Sequence, residues 1–412
     1  MKGQSNYSRF MILWAGDLIS QIGGGLTSFG LGVYVFNQTG SAAYMALVTL
    51  CGFLPTILLS VPAGVLADMY DRRLLMIIGD GCSAIGIIYI LFLMMTGGAA
   101  LWQICVGVLV SSVFSALLEP SYRATITDML TKEEFTKANG LTSLAGSARY
   151  LASPVIAGML LASHDIVLLL VIDICTFFVT IASTLFVRRS ISTKVNEENK
   201  SFFESMSEGF LAVRTRKGVF KLIVVSALIT MFMGVIQVLS EPLILSFTDS
   251  KTLGVAETIC ALGMLATALV TGIFGIRKRQ AKILALSLCF AGIFMIGFGL
   301  KENIVVICIF GFLFFAMLPL ANSCLDYLVR TNIPDKLQGR AWGFIGFISQ
   351  LGYIPAYVLA GVLADFVGDR LNIGVGRGSA VITMVAGALL AVTSIVILLS
   401  TKIQNLENGA EF

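Results

Sequence analysis

The chain has 412 residues, of which 57% are hydrophobic and only 13% charged. Soluble domains carry about 25% charged residues, so this chain is too poor in charge to cover a water-facing surface of its length, and a soluble enzyme is excluded. Twenty-eight Lys and Arg against 24 Asp and Glu give a net charge of +4, too weak a bias for a nucleic-acid partner.

The chain opens with MKGQSNYSRF, which lacks a cleavable signal pattern and reads as a short cytosolic lead-in. A spanning helix needs about 20 mainly apolar residues. Twelve stretches qualify: 10–36, 43–67, 74–96, 100–127, 138–162, 165–187, 219–247, 253–275, 281–300, 303–330, 340–364 and 378–400. Most are joined by connections of a few residues. The exception, Arg188 to Gly218, is the one long hydrophilic segment and follows the sixth span. These features predict an all-α membrane protein of two six-helix halves, 1–187 and 219–412. They are joined by a cytosolic linker, 188–218, in which Phe202 to Val213 is expected to lie as an amphipathic helix on the membrane surface.

Positive charge sets the orientation. With the N-terminus inside, 22 of the 28 Lys and Arg fall in cytosolic segments, four (Lys251, Lys301, Arg370, Arg377) fall outside, and Arg123 and Arg149 fall within spans. Both termini are therefore expected in the cytosol. The halves also repeat: SYRATITDMLTKEEFTKANG before span 5 aligns without gaps to CLDYLVRTNIPDKLQGRAWG before span 11, which carries Gly140 onto Gly343 and Gly158 onto Gly361. Two parallel halves of this kind enclose a site near the membrane midplane.

The eight cysteines (Cys51, Cys82, Cys105, Cys175, Cys260, Cys289, Cys308, Cys324) lie in apolar segments without metal-ligand or redox spacing, and read as small buried hydrophobes. The single histidine, His164, sits in a short connection, so neither a metal site nor a histidine relay is expected. GVGRGS (374–379) lacks the lysine of a phosphate-binding loop. No cofactor is expected, and ATP is not the expected energy source.

At GVLADMYDRR, Gly64 to Arg73, the chain resembles the loop between spans 2 and 3 of the major facilitator superfamily, G-x-L-A-D-R-x-G-R-K/R. Gly64, Leu66, Ala67, Asp68, Arg72 and Arg73 match; Met69 stands for the usual Arg and Asp71 for the usual Gly. The resemblance implies that Gly64 permits close helix packing, and that Asp68 and Arg72, with Asp128 as partner, form a cytosolic latch made and broken during alternating access. WAGDLISQIG, TGSAAYMALV, SPVIAG, QGRAWGFIG and the GVLAD ending span 11 are similar to the drug:proton antiporter branch that includes macrolide-efflux and siderophore-exporting proteins. SPVIAG is similar to that branch's G-P-x-x-G-G motif, with Pro154 and Gly158 retained as helix-bending positions.

Coupling to an ion gradient needs ionisable groups inside the bilayer, where each charge costs roughly 2.5–3.5 kcal/mol on insertion scales. Asp17, Asp80, Glu119, Arg123, Arg149, Asp173, Glu241 and Asp326 all lie within apolar stretches. Glu119 and Arg123 are one turn apart, and with Arg149 they are expected to form a cluster for which a substrate carboxylate could compete. Asp17 lies about 10 Å into span 1 without a cation near it in sequence. It is expected to carry a proton, as are Glu119 and Glu241, the last near the outer end of span 7. Asp80 is near enough to the cytosol to snorkel, and Asp173 lacks an obvious partner. Asp326, Arg330 and Arg340 form a second-half gate. Met233, Gln237, Phe315 and Met317 are pocket-lining candidates, while Trp14, Trp102 and Trp342 lie near span ends, as interface anchors do.

The expected function is secondary active transport: proton-coupled export of amphipathic small molecules such as macrolides. Alternatives are export of a siderophore or lipid-like metabolite, and uptake by symport or facilitation. The expected partners are a small-molecule substrate, protons and the lipid bilayer of a bacterial cytoplasmic membrane, with a monomer as the working unit.

Overall fold

The computed structural model describes residues 6–131, 133–188, 210, 217–276, 279–333 and 335–407. Among them the regular structure is helical throughout, as hydrocarbon requires: with no water to satisfy backbone N–H and C=O groups, the chain must satisfy them within each segment. Twelve stretches are long and apolar enough to cross a membrane. The continuous spans are Tyr7–Thr39 (span 1), Ala42–Met69 (2), Arg72–Met95 (3), Ile166–Arg188 (6), Lys217–Leu245 (7), Ser250–Phe274 (8), Gln280–Gly299 (9), Ile304–Asn332 (10) and Gly374–Leu399 (12). Many outward Leu, Ile, Val and Phe side chains are exposed, among them Phe92, Phe178, Ile273 and Val396, which suits surfaces meant for lipid rather than water.

Spans 4, 5 and 11 each consist of two helices: Leu101–Ser115 with Leu118–Met129, Phe135–Leu151 with Ser153–Leu161, and Asp335–Leu351 with Tyr353–Arg370. Each break falls just before a proline (Pro120, Pro154, Pro355) that has no N–H to return to the carbonyl four residues earlier. Proline alone does not decide the matter, because Pro55, Pro62, Pro242 and Pro319 sit inside unbroken helices. Two of the short connections are closed by side-chain caps. Asp71 accepts from the Arg73 amide at 3.1 Å to start span 3, and Asn303 accepts from Val305 and Val306 to start span 10.

The chain divides into two compact units. One comprises Met1–Gln38, Leu47–Asn199 and Ser250–Val255; the other comprises Thr39–Ala46, Lys200–Asp249 and Ala256–Phe412. In the first unit span 3 packs against spans 4 and 6, and in the second span 9 packs against spans 10 and 12. The same packing thus recurs six spans later. A cluster of buried side chains, including Phe10, Leu13, Met76, Tyr122, Met129 and Val187, ties the ends of spans 1, 3, 4 and 6 together in the first unit. Trp14 packs against that cluster and donates its indole N–H to the Leu141 carbonyl at 2.7 Å, so it holds span 5 instead of standing free as an anchor. A short helix, Thr401–Leu406, was not foreseeable from hydropathy; the Leu406 carbonyl accepts from Asn332 at 3.1 Å and Glu407 accepts from the Gln280 amide at 3.0 Å. The expected linker helix, 202–213, lies outside the described residues apart from Phe210, whose ring meets Phe344 edge-on at 5.6 Å.

Candidate functional site

The first unit gathers its charges from five spans. Thr27 donates to the Asp173 carboxylate at 2.6 Å, and Asp173 itself is only 2% exposed. Arg149 of span 5 lies within electrostatic reach of Asp173 and donates to Ser28 at 3.1 Å. Asp80 of span 3 is 3% exposed, so it is enclosed and does not snorkel; Thr180 is its hydrogen-bonding neighbour, and Asp17 and Asp173 are the charges it feels. Asp17 takes a long hydrogen bond, 3.4 Å, from Gln21. Asp17, Asp80 and Asp173 are thus contributed by spans 1, 3 and 6, with Asp80 within electrostatic reach of the other two and Arg149 within reach of Asp173.

Glu119 and Arg123 do pair, at 2.8 Å, and their side chains are 74% and 70% exposed. The three-membered cluster expected from spacing is not assembled. Among the described residues Arg149 makes no ion pair with Glu119; it donates to Ser28 of span 1 and lies within electrostatic reach of Asp173. Glu119 is instead felt by Asp17. An ion pair this exposed within an apolar span would be costly against lipid, so that face of span 4 suits a water-filled cavity.

The second unit has its own acidic pair. Glu241 of span 7 is coupled electrostatically to Glu257 of span 8, and Ser240 donates to Glu257 at 3.4 Å. Glu257 is not among the charges singled out from the sequence, although it lies within the apolar stretch 253–275 and meets the criterion that selects Glu241, an acid within an apolar run. The helix begins at Ser250, about a turn earlier, which sets the carboxylate deeper.

Of the pocket candidates, Gln237 accepts from the Tyr357 hydroxyl at 2.8 Å, linking spans 7 and 11, and Phe315 sits edge-on to buried Phe314 at 5.3 Å. Met233 and Met317 are half-buried on spans 7 and 10. None of the four lines a 420 Å³ cavity in this unit bounded by Thr271, Gln280, Pro319, Ser323 and Tyr327. Asp326 and Arg330 are both exposed and feel one another. Arg340 is on the first helix of span 11, its side chain outside the described residues.

In the loop after span 2, Arg72 bridges Asp128 at 2.8 Å and Asp68 at 3.7 Å and donates to the Ala67 and Ala124 carbonyls. Arg73 is buried beside Asp71 and Asp128. Asp71, where the resembling motif has Gly, adds an ion pair to Arg188 at the end of span 6, at 2.8 Å. Gly64 has nothing within 4 Å of where a Cβ would stand, so no close packing occurs there. Gly158 does pack closely: a Cβ would lie 2.5 Å from the Ser250 carbonyl oxygen, and Gly254 faces the Pro154 carbonyl in return. Among the described residues no group of three or more His, Cys, Asp or Glu is arranged to hold a metal ion.

Among the described residues, twelve helices long and apolar enough to cross a membrane, with buried carboxylates among them, define a multi-pass membrane protein. The structure aligns with the POT family transporter PepTSo over 97% of this chain and 99% of that one, with a TM-score of 0.76 at 10% identity, which establishes the fold. The family model described as Major Facilitator Superfamily matches residues 13–357, and the chain belongs to that superfamily. It is 24% identical over 369 residues to macrolide efflux protein A of Streptococcus pyogenes, covering 87% of this chain and 90% of the relative. It is also 24% identical over 396 residues to the staphyloferrin A transporter of Staphylococcus aureus, covering 92% and 94%. It is a multi-pass bacterial membrane protein.

Proposed function

We propose that this protein is a proton-coupled antiporter that exports amphipathic small molecules across the cytoplasmic membrane by alternating access, with both termini in the cytosol. The observation that carries the reading is the enclosure of Asp80 and Asp173 within the apolar spans of the first unit, with Asp17 within electrostatic reach of Asp80, and a second acidic pair, Glu241 and Glu257, in the second unit. Carboxylates sited inside an apolar bundle are costly against lipid and mark a proton path, so they are assigned the exchange of protons with whichever side has access. Asp17 is assigned the mobile proton because its one hydrogen bond, from Gln21, is long. Asp173, gripped by Thr27 and near Arg149, is assigned a supporting role. The relative named for macrolide efflux supports export, and the one named as a staphyloferrin A transporter supports a siderophore as the alternative cargo. Exposed Arg123 and the Arg149 guanidinium favour cargo bearing carboxylates, as carboxylate siderophores do.

The test is accumulation of macrolides, dyes and siderophores in efflux-deficient bacteria expressing the protein, with and without a protonophore. Lower accumulation that the protonophore restores is expected; higher accumulation overturns export in favour of uptake. The Asp17→Asn variant is expected to lose proton-driven transport while retaining substrate exchange, and normal pH-driven transport by that variant removes Asp17 from the proposed role.

A further inference from the structure

Spans 8 and 10 touch at one level and enclose a space at the next. A Cβ on Gly263 would overlap the Phe312 carbonyl, and one on Gly311 would meet the Cys260 sulfur. One to two turns further along both helices lies the 420 Å³ cavity, with the start of span 9 closing its end. Ala268 and Gly272 leave the room: a Cβ on Gly272 would meet nothing within 4 Å. The polar groups of the wall lack donors to receive. Gln280 is 3% exposed; its amide nitrogen donates to the Ile276 carbonyl at 2.7 Å, but its Oε1 is buried with no hydrogen-bond partner among the described residues. The Thr271 hydroxyl spends its proton on the Thr267 carbonyl at 2.8 Å, so only its lone pairs remain. Pro319 has no N–H to return to the Phe315 carbonyl. Ser323 and Tyr327 add two exposed hydroxyls, and no charged side chain lines the space among the described residues.

We propose that this cavity is a binding site for the neutral, hydroxyl-bearing headgroup of an amphiphile, held by Gln280, Thr271, Ser323 and Tyr327. An unpaired buried acceptor is costly, and a hydroxyl supplies the proton it lacks. A charged headgroup is disfavoured because no opposite charge lines the wall to offset its desolvation. The volume falls within the roughly 300–1,000 Å³ of small-molecule sites, near the lower end, which suits a headgroup better than a whole bulky amphiphile. Leu269, Val270, Ile273 and Phe274 are exposed on the adjoining face of span 8 and receive the apolar tail. A sugar or polyol meets this description, whether it belongs to a glycosylated lipid of the bilayer or to a hydroxylated cargo. The site lies wholly within the second unit, apart from the carboxylates and arginines of the first. It takes from the proposed function only its side of the membrane, the cytosolic half.

Titration of radiolabelled decyl glucoside, below its micelle concentration, onto the full-length protein in phosphatidylcholine nanodiscs tests it, with empty nanodiscs as background. Saturable binding is expected, and decyl trimethylammonium and decyl phosphate, which share the tail, are expected to displace the glucoside about tenfold more weakly than unlabelled glucoside does. Gly272→Phe puts a ring into the open space and is expected to abolish the binding. Gln280→Met and Tyr327→Phe are each expected to weaken it about fivefold. Should Gln280→Met not fold for want of its bond to Ile276, Ser323→Ala and Tyr327→Phe give the same readout. Binding at background level, binding unaltered by Gly272→Phe, or equal displacement by the charged compounds overturns the proposal. Suppression of glucoside binding by diglucosyl diacylglycerol in the nanodiscs identifies a bilayer lipid as the source. Weaker export of hydroxylated compounds by cells carrying Gly272→Phe identifies the cargo. A glucoside site in a protein that exports no compound keeps this proposal and overturns the transport reading instead.

Discussion

Asp173 and Arg149 illustrate what a residue's environment adds to its identity. From the sequence Asp173 lacks an obvious partner and Arg149 is expected beside Glu119 and Arg123; their mutual reach depends on how spans 5 and 6 face span 1. Removing the Thr27 hydroxyl leaves a buried carboxylate short of a donor, a loss that generally costs about 1–3 kcal/mol. Thr27→Val is therefore expected to lower thermal stability in detergent by that amount, while Thr27→Ser, which keeps the hydroxyl, leaves the melting curve in place. Arg149→Ala is expected to impair transport of anionic compounds more than of cationic ones, as measured with a charge-matched substrate pair. Equal loss for both identifies a structural role. Glu119 and Arg123 were legible as a pair because spacing on one helix is local; the third partner was not, because it depends on the path of another span.

At the scale of the element, hydropathy located all twelve spans, since a run of apolar residues long enough to cross hydrocarbon is written in the chain itself. The ends were less legible. Span 8 starts at Ser250 and not at 253. Asp71 shows a substitution within a resembling motif gaining a structural role: it caps span 3 and pairs with Arg188. The cap is worth about 1 kcal/mol and a partly exposed ion pair about 0.2–1 kcal/mol, so the cap dominates. Asp71→Ala is expected to destabilise more than Arg188→Ala, and thermal unfolding of the two purified variants decides the order. A larger effect from Arg188→Ala would place the weight on the tie to span 6.

At the scale of the molecule, the recurrence of span 3 packing in span 9 gives each unit a comparable set of internal contacts. Helix association in lipid relies on van der Waals packing and polar contacts, since lipid tails are as apolar as leucine. Segments 1–187 and 219–412, expressed together as separate chains, are accordingly expected to co-purify and to retain part of the efflux activity. Failure to associate would assign the intervening residues a role in assembly and not merely in connection.

The sequence by itself determined the class of protein, the number of spans and the family resemblance, because those follow from composition, apolar length and contiguous motifs. Tertiary structure decided which charges come within electrostatic reach: Asp80 with Asp17 and Asp173, Glu241 with Glu257, and Arg149 with Asp173. It also decided that two identical pentapeptides, residues 64–68 and 361–365, meet different surroundings: Gly361 and Asp365 lie against the start of span 2, whereas Gly64 faces open space. Local sequence cannot distinguish them, since a helix fixes the direction of its own side chains but not the neighbour that receives them.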